Sequence, residues 1–366
     1  MTDRRSFIAG MLAAGACPKP TWAEVGSPAF LSAGVTQNGT HVLCGLTARG
    51  KISFELPLPA RGHAAAAHPM LAEAVAFARR PGTFAVVIDC VSGREKARLH
   101  APAGRHFYGH GTYSADGDLL FTTENDFGAA RGVIGVWDPR DGYARLDELP
   151  SGGTGPHDIK LMPDGKTLVV ANGGIETHPE TGRLKLNIPT MRPNLSYLSF
   201  DGRVEEKIEL DRSLRRNSIR HLATTSDGTV AFAMQWQGDR ARHPPLIGIH
   251  QAGSPAMLLE TTGRHAEKMK GYVGSVAASQ ALGRIAATSP RGNLVQVVDI
   301  RTQAIVAQSE IEDVCGVAAL DAGFFLTSGH GQIAMQMGAG HELLRGTALR
   351  WDNHLVAVSM NAPDRS

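Results

Sequence analysis

Cysteine is scarce in this chain: four residues in all, Cys17, Cys44, Cys90 and Cys315. No pair has the C-x-x-C spacing of a redox or zinc motif, and no C-x-x-C-H haem-attachment run occurs. Three thiols beyond the first two dozen residues cannot pair completely, so a disulfide framework is excluded. Long apolar runs are missing too, and the one weakly apolar stretch near the N-terminus is too short to cross a bilayer. Runs of one charge sign are absent. With a formal charge of +2 and no basic-aromatic stripe, nothing points to nucleic acid. There is no P-loop, no G-x-S-x-G elbow and no EF-hand loop around the Asp-Gly pairs.

What is present begins with "DRRSFIAGMLAAGACPKPTWA" at residues 3–23, which carries Arg4 and Arg5, a short apolar stretch and a small-residue end. This pattern predicts a twin-arginine export signal over 1–23, cleaved after Ala23, and a periplasmic mature chain over 24–366. Lipidation at Cys17 is disfavoured by Ala14, where a leucine is usual. The twin-arginine route carries proteins that are already folded, often with a cofactor inserted.

Beyond the signal, four-strand units recur. One reads "HGTYSA", "LLFTTE", "GVIGVWD", "YARLDEL" (110–149), and the next "HDIKLMP", "TLVVANG", "LSYLSFD", "RVEEKIEL" (157–210). Similar units cover 63–100, 221–262, 275–311 and 316–347. Spacings of about forty to sixty residues are those of propeller blades. The leftover ends, 30–57 and "HLVAVSM" at 354–360, complete a seventh unit between them. The expected fold is therefore all-β: a single seven-bladed β-propeller, its ring closed by N- and C-terminal strands sharing one blade, with six or eight blades the alternatives.

In this register the innermost strand opens with histidine in five units: His63, His110, His157, His221 and His354. Ser275 and Gly316 break the series. Equivalent positions on inner strands ring the central channel, so these imidazoles are expected to converge as metal ligands without any local motif. Neutral imidazole suits iron, copper, nickel and zinc. The bland alternative is that they bond neighbouring carbonyls and water. Three long loops, 124–132, 172–194 and 235–245, are expected over the same face, where such loops form binding surfaces. Glu124 and Asp126, close to a strand end, are candidate further ligands, and a carboxylate among histidines would favour iron. Arg61 and Arg220 could bind a ligand's carboxylate or phosphate, or pair locally. Cys315 could offer a thiolate, or simply fill buried space.

The stretches "GHGTYSADGDLLFTTEND", "GVIGVWD", "GPHDIKLMPDGKTLVVANGGI" and "RPNLSYLSFDG", behind a twin-arginine start, resemble a family of exported bacterial propeller proteins of unknown function. Its members are often encoded beside imelysin-like, iron-associated periplasmic proteins and a di-haem oxidoreductase-like protein. The resemblance implies a place in envelope iron handling, with other periplasmic iron-handling proteins as partners, and brings no catalytic residues. The leading expectation is an axial histidine site for iron, with copper or haem as alternatives, acting in iron acquisition, delivery or oxidation. The rivals are an interaction platform without catalysis, a haem-binding propeller, and a metal-assisted lyase or hydrolase with Glu124 activating water.

Overall fold

The computed structural model describes residues 20–79, 83–182, 184–259 and 264–358. Seven antiparallel sheets stand around one axis. Six have four strands in simple up-and-down order, and their innermost strands are Gly62–Ala67, Arg105–Tyr113, Pro156–Leu161, Asn217–Thr224, Ser275–Ser279 and Val314–Leu320. The seventh joins the two ends of the chain. Phe30–Val35, His41–Leu46 and Ile52–Pro57 form its outer three strands, and Arg350–Trp351 and Val356–Ala357 pair on the inner side of Phe30–Val35. The expected seven-bladed propeller and its mode of closure are what the chain forms.

The reason lies in how apolar character is graded across each blade. Middle strands such as Glu73–Ala78 and Thr167–Asn172 are buried almost throughout, because both of their faces pack on a neighbouring blade. Outermost strands such as Arg94–His100 and Val204–Glu209 are mostly exposed and charged, which discourages pairing with another chain at the rim. Between successive blades lie seven apolar clusters, among them one built from Phe77, Phe107 and Trp137 and another from Tyr197, Ile219 and Phe232. The repeated Asp-Gly turns hold the hairpins at one end of the ring. Gly117, Gly165 and Gly228 take positive φ there, and Asp116, Asp164 and Asp227 accept from the amide two residues on.

Two boundaries differ from the expected ones. The inner strands of the second and fourth complete blades begin upstream of their histidines, at Arg105 and Asn217. The C-terminal strand is broken into two short pieces, with His354 in the break. Arg4 and Arg5, on which the expected export signal rests, and Cys17 lie outside the described residues. The packed body already includes Trp22, which is 3% exposed and donates its indole N–H to the His68 carbonyl. The Pro20 carbonyl accepts from Ala72. The fold therefore takes in residues on both sides of Ala23.

Candidate metal centre

Each of the four continuous inner strands that carry a histidine is irregular at that point. Its ladder to the next strand slips between Gly62 and Ala65, between Phe107 and Gly111, between Pro156 and Asp158, and between Ile219 and His221. His63, His110 and His157 lie within these bulges, and His221 directly follows the extra residue Arg220. A β-bulge re-aims side chains that a flat strand would send to its two faces. Here it turns the imidazoles toward the axis. Of the two histidine-free inner strands, Ser275–Ser279 runs in regular register and Val314–Leu320 slips between Val314 and Val317. His354 reaches the same level from the break in the closing strand, its carbonyl fixed by the Ser32 hydroxyl at 2.9 Å.

The five rings meet. Centroid separations are 5.0 Å for His63–His110, 5.0 Å for His110–His157, 4.8 Å for His157–His221, 4.9 Å for His221–His354 and 4.6 Å for His63–His354. Two groups of three, His63–His110–His354 and His110–His157–His221, each bring one ring nitrogen per residue within 4.8 Å of the others. His110 belongs to both. On every ring one nitrogen is buried without a hydrogen-bond partner: Nδ1 of His63, His157 and His221, and Nε2 of His110 and His354. An unsatisfied buried polar atom costs about 1–3 kcal/mol, so five together are a standing cost that a shared cation would offset. A single ion with bonds of roughly 2.0–2.1 Å holds nitrogens about 3.4 Å apart in a tetrahedron and about 4.2 Å apart when opposite. Either group of three thus fits one ion after a contraction of its nitrogens.

Burial keeps four of the five rings neutral. Burial pushes His63, His157 and His354 well below the usual imidazole range and His221 down to about 3. Neighbouring imidazoles and the Arg61, Arg79 and Arg220 guanidinia add to the shifts. Asp158 anchors the cluster. Its Oδ1 lies 3.2 Å from His110 Nδ1 and 3.2 Å from Lys160 Nζ, and its Oδ2 accepts from the Leu222 amide at 3.0 Å. Burial works to raise this carboxyl, but Lys160 and the His110 ring outweigh it and hold it well below the usual carboxylate range. With Asp158 at Nδ1, His110 has its Nε2 without a partner, the carboxylate–histidine arrangement of metal sites. Asp158 escapes a reading by strand alternation, which would place it on the face opposite His157. The bulge at His157 brings both inward.

The other expected ligands are elsewhere. Glu124 is fully buried within its blade, with both oxygens on the Arg145 guanidinium at 2.7 and 3.0 Å and a third bond from Thr122. It is therefore neither a ligand nor a water-activating base. Asp126 pairs with Arg131 at 2.9 Å and Arg105 at 3.7 Å. Without these carboxylates the histidine set is all-nitrogen, and the carboxylate argument for iron falls away. Arg61 pairs locally, its Nε 2.8 Å from Asp352, and so clips the first complete blade to the closing strand. Arg220 stands beside His157 and His221 and depresses both. Cys315 is buried among the carbonyls of Thr327, Trp351 and Asp352, and burial pushes its thiol up to about 12. It is a filler, not a thiolate.

A central cavity of about 620 Å³ begins one residue past the histidines, at Gly111, Leu222 and Leu355, and is lined by all seven blades. It runs to the Asp-Gly turns at the far mouth, and Lys160 is its sole charged lining residue. Gly109 closes the site from the side: its φ is +100°, and a Cβ there would lie 2.6 Å from Cδ2 of His63. Gly109→Ala is expected to cost about 1–3 kcal/mol of stability through backbone strain and to displace His63. Thermal unfolding would read the first effect and metal affinity the second.

Residues 56–358 match the model of a family described as "Protein of unknown function (DUF1513)". Among solved structures, hydrazine synthase of Kuenenia stuttgartiensis aligns with a TM-score of 0.61 at 14% identity, covering 82% of this chain and 90% of that one. At that identity the likeness shows the fold only. No curated protein matches the chain.

Proposed function

This chain belongs to the DUF1513 family, and we propose that it is a metal-handling propeller of the cell envelope that holds one transition-metal ion in its axial histidine cluster. One observation carries the reading: five axial histidines, each with one buried ring nitrogen that lacks a hydrogen-bond partner, form two groups of three that share His110 and bring their ring nitrogens within 4.8 Å. Iron is the ion proposed as cargo. The expected twin-arginine signal with its Arg4–Arg5 pair and the resemblance to proteins encoded beside iron-associated envelope proteins support that choice. The donor set supports copper as the second reading, since five imidazoles without a carboxylate suit Cu as well as Fe, and copper binds divalent sites most tightly.

A bound ion would supply Lewis-acid or one-electron chemistry at the end of the channel. The chain's own part is to keep four of the imidazoles neutral, hold His110 through Asp158, and admit small molecules only along the alanine-rich bore. Acquisition, delivery and oxidation of the ion all use that arrangement, and envelope proteins that exchange the ion are the proposed partners.

Titration of the metal-free protein against a chromophoric chelator, with Fe(II) under anaerobic conditions and with copper separately, tests this. Saturation at one ion per chain is expected for both. Failure of both to displace chelator would end the reading, and copper binding without iron binding would leave the copper version. In the same assay Asp158→Asn is expected to weaken affinity about 10–100-fold, the usual effect of losing a ligand's carboxylate partner, with cooperative unfolding retained.

A further inference from the structure

A second feature lies on the same end of the ring as the histidines, outside the channel. Arg192, Arg212 and Arg215 line one surface groove, of about 740 Å³, and Arg212, Arg215, Arg216 and Arg242 line an adjoining cleft of about 240 Å³. They come from three connections: the long loop after Thr167–Asn172, the link into Asn217–Thr224, and the loop after Val230–Trp236. None of the five forms an ion pair among the described residues. Three carboxylates lie among the five guanidinia without pairing with them: Glu209, in the groove, lies 3.5 Å from Lys207, Asp211 accepts from the Ser213 amide, and Asp239, in the cleft, accepts from the Ala241 amide. Arg242 lies over the Trp236 ring at 5.3 Å, which holds a guanidinium in place at the cleft. In a chain of net charge +2, this is a concentrated cationic rim.

Beside it stand two of the most exposed large apolar side chains of the molecule, Leu184 at 65% and Leu186 at 50%. The intervening Lys185 donates to Gln237, whose amide bonds the Arg216 carbonyl, so the leucines border the arginine cleft. Unpaired cations beside exposed leucines on one projecting rim match a surface that is anionic outside and apolar just beneath. A soluble acidic partner would account for the arginines but not for the leucines.

We propose that this rim docks the protein on an anionic lipid surface, with headgroup phosphates in the arginine clefts and Leu184 and Leu186 in the interfacial layer. The far mouth of the channel, at the Asp-Gly turns, then faces away from the membrane and stays open. The inference does not depend on the metal reading.

Co-sedimentation of the full chain with vesicles of phosphatidylcholine, plain or with about one-third phosphatidylglycerol, tests it. Binding is expected to the anionic vesicles only, and to be lost at about 1 M salt, where screening falls to about 3 Å. The variant Arg192→Ser/Arg212→Ser/Arg242→Ser should partition roughly a hundredfold less, each basic residue near such a surface contributing about fivefold. Leu184→Ser/Leu186→Ser should also reduce binding, with unfolding and metal content unchanged in both. Equal binding to neutral vesicles, full binding by the arginine variant, or capture of a polyglutamate peptide in place of vesicles would each overturn it.

Discussion

His110→Ala is expected to lower metal affinity by at least about two orders of magnitude, more than any other single histidine replacement. His110 is the residue common to both three-histidine groups, and its Nδ1 is the one held by Asp158. Four-ligand zinc sites bind with about 10–16 kcal/mol, roughly 3 kcal/mol per ligand, which sets the scale. His63→Ala or His354→Ala leaves His110, His157 and His221 together and should cost less. His110→Ala/His157→Ala breaks both groups and should abolish retention. The metal-free variants should still unfold cooperatively, because the blades are held by the apolar clusters between them and not by the imidazoles. Isothermal titration of each folded variant would check the order. Equal losses for His110 and His354 would show that the two groups do not share a common member.

The second large effect concerns pH. His63, His157, His221 and His354 have folded pKa values depressed by burial, His221 to about 3. An unfolded chain protonates the same residues near 6.5. Below that pH the unfolded state binds more protons, so stability must fall as pH falls. Each such histidine contributes up to about 1.4 kcal/mol per pH unit until its own folded pKa is reached. A typical domain has about 5–15 kcal/mol in all, so the metal-free protein should lose a large part of its stability between pH 6.5 and 4.5. Native-state metal affinity should respond differently. His63, His157, His221 and His354, depressed by burial, are not competed away by protons at pH 5.5, so affinity should change little from pH 7.5 to 5.5, whereas exposed histidines would lose theirs. Denaturant unfolding and metal titration over this range would test both statements. Metal-free stability that stays flat down to pH 5 would contradict the burial of these rings.

The repeat was legible because blades announce themselves by hairpin spacing, and the histidines because pseudo-symmetry repeats them in register. What escaped depended on contacts between blades or on local irregularity. Asp158 was hidden by a bulge that suspends the alternation of faces. Glu124 looked free because its partner, Arg145, lies two strands away across the blade, a pairing that no sequence interval displays. Trp22 sits within the stretch read as a signal, yet its indole packs into the core. The arginine rim could not be read at all, since Arg192, Arg212 and Arg242 come from three separate connections that the packing of two successive blades brings to one side.

The central claim is that the axial histidines hold one ion. The most direct test is elemental analysis of the full protein, isolated without a histidine tag or chelator and then loaded anaerobically with Fe(II) or with copper, beside the His110→Ala/His157→Ala variant. About one ion per chain is expected in the parent and none in the folded variant. A parent that stays metal-free after loading, or a folded double variant with unchanged metal content, would contradict it.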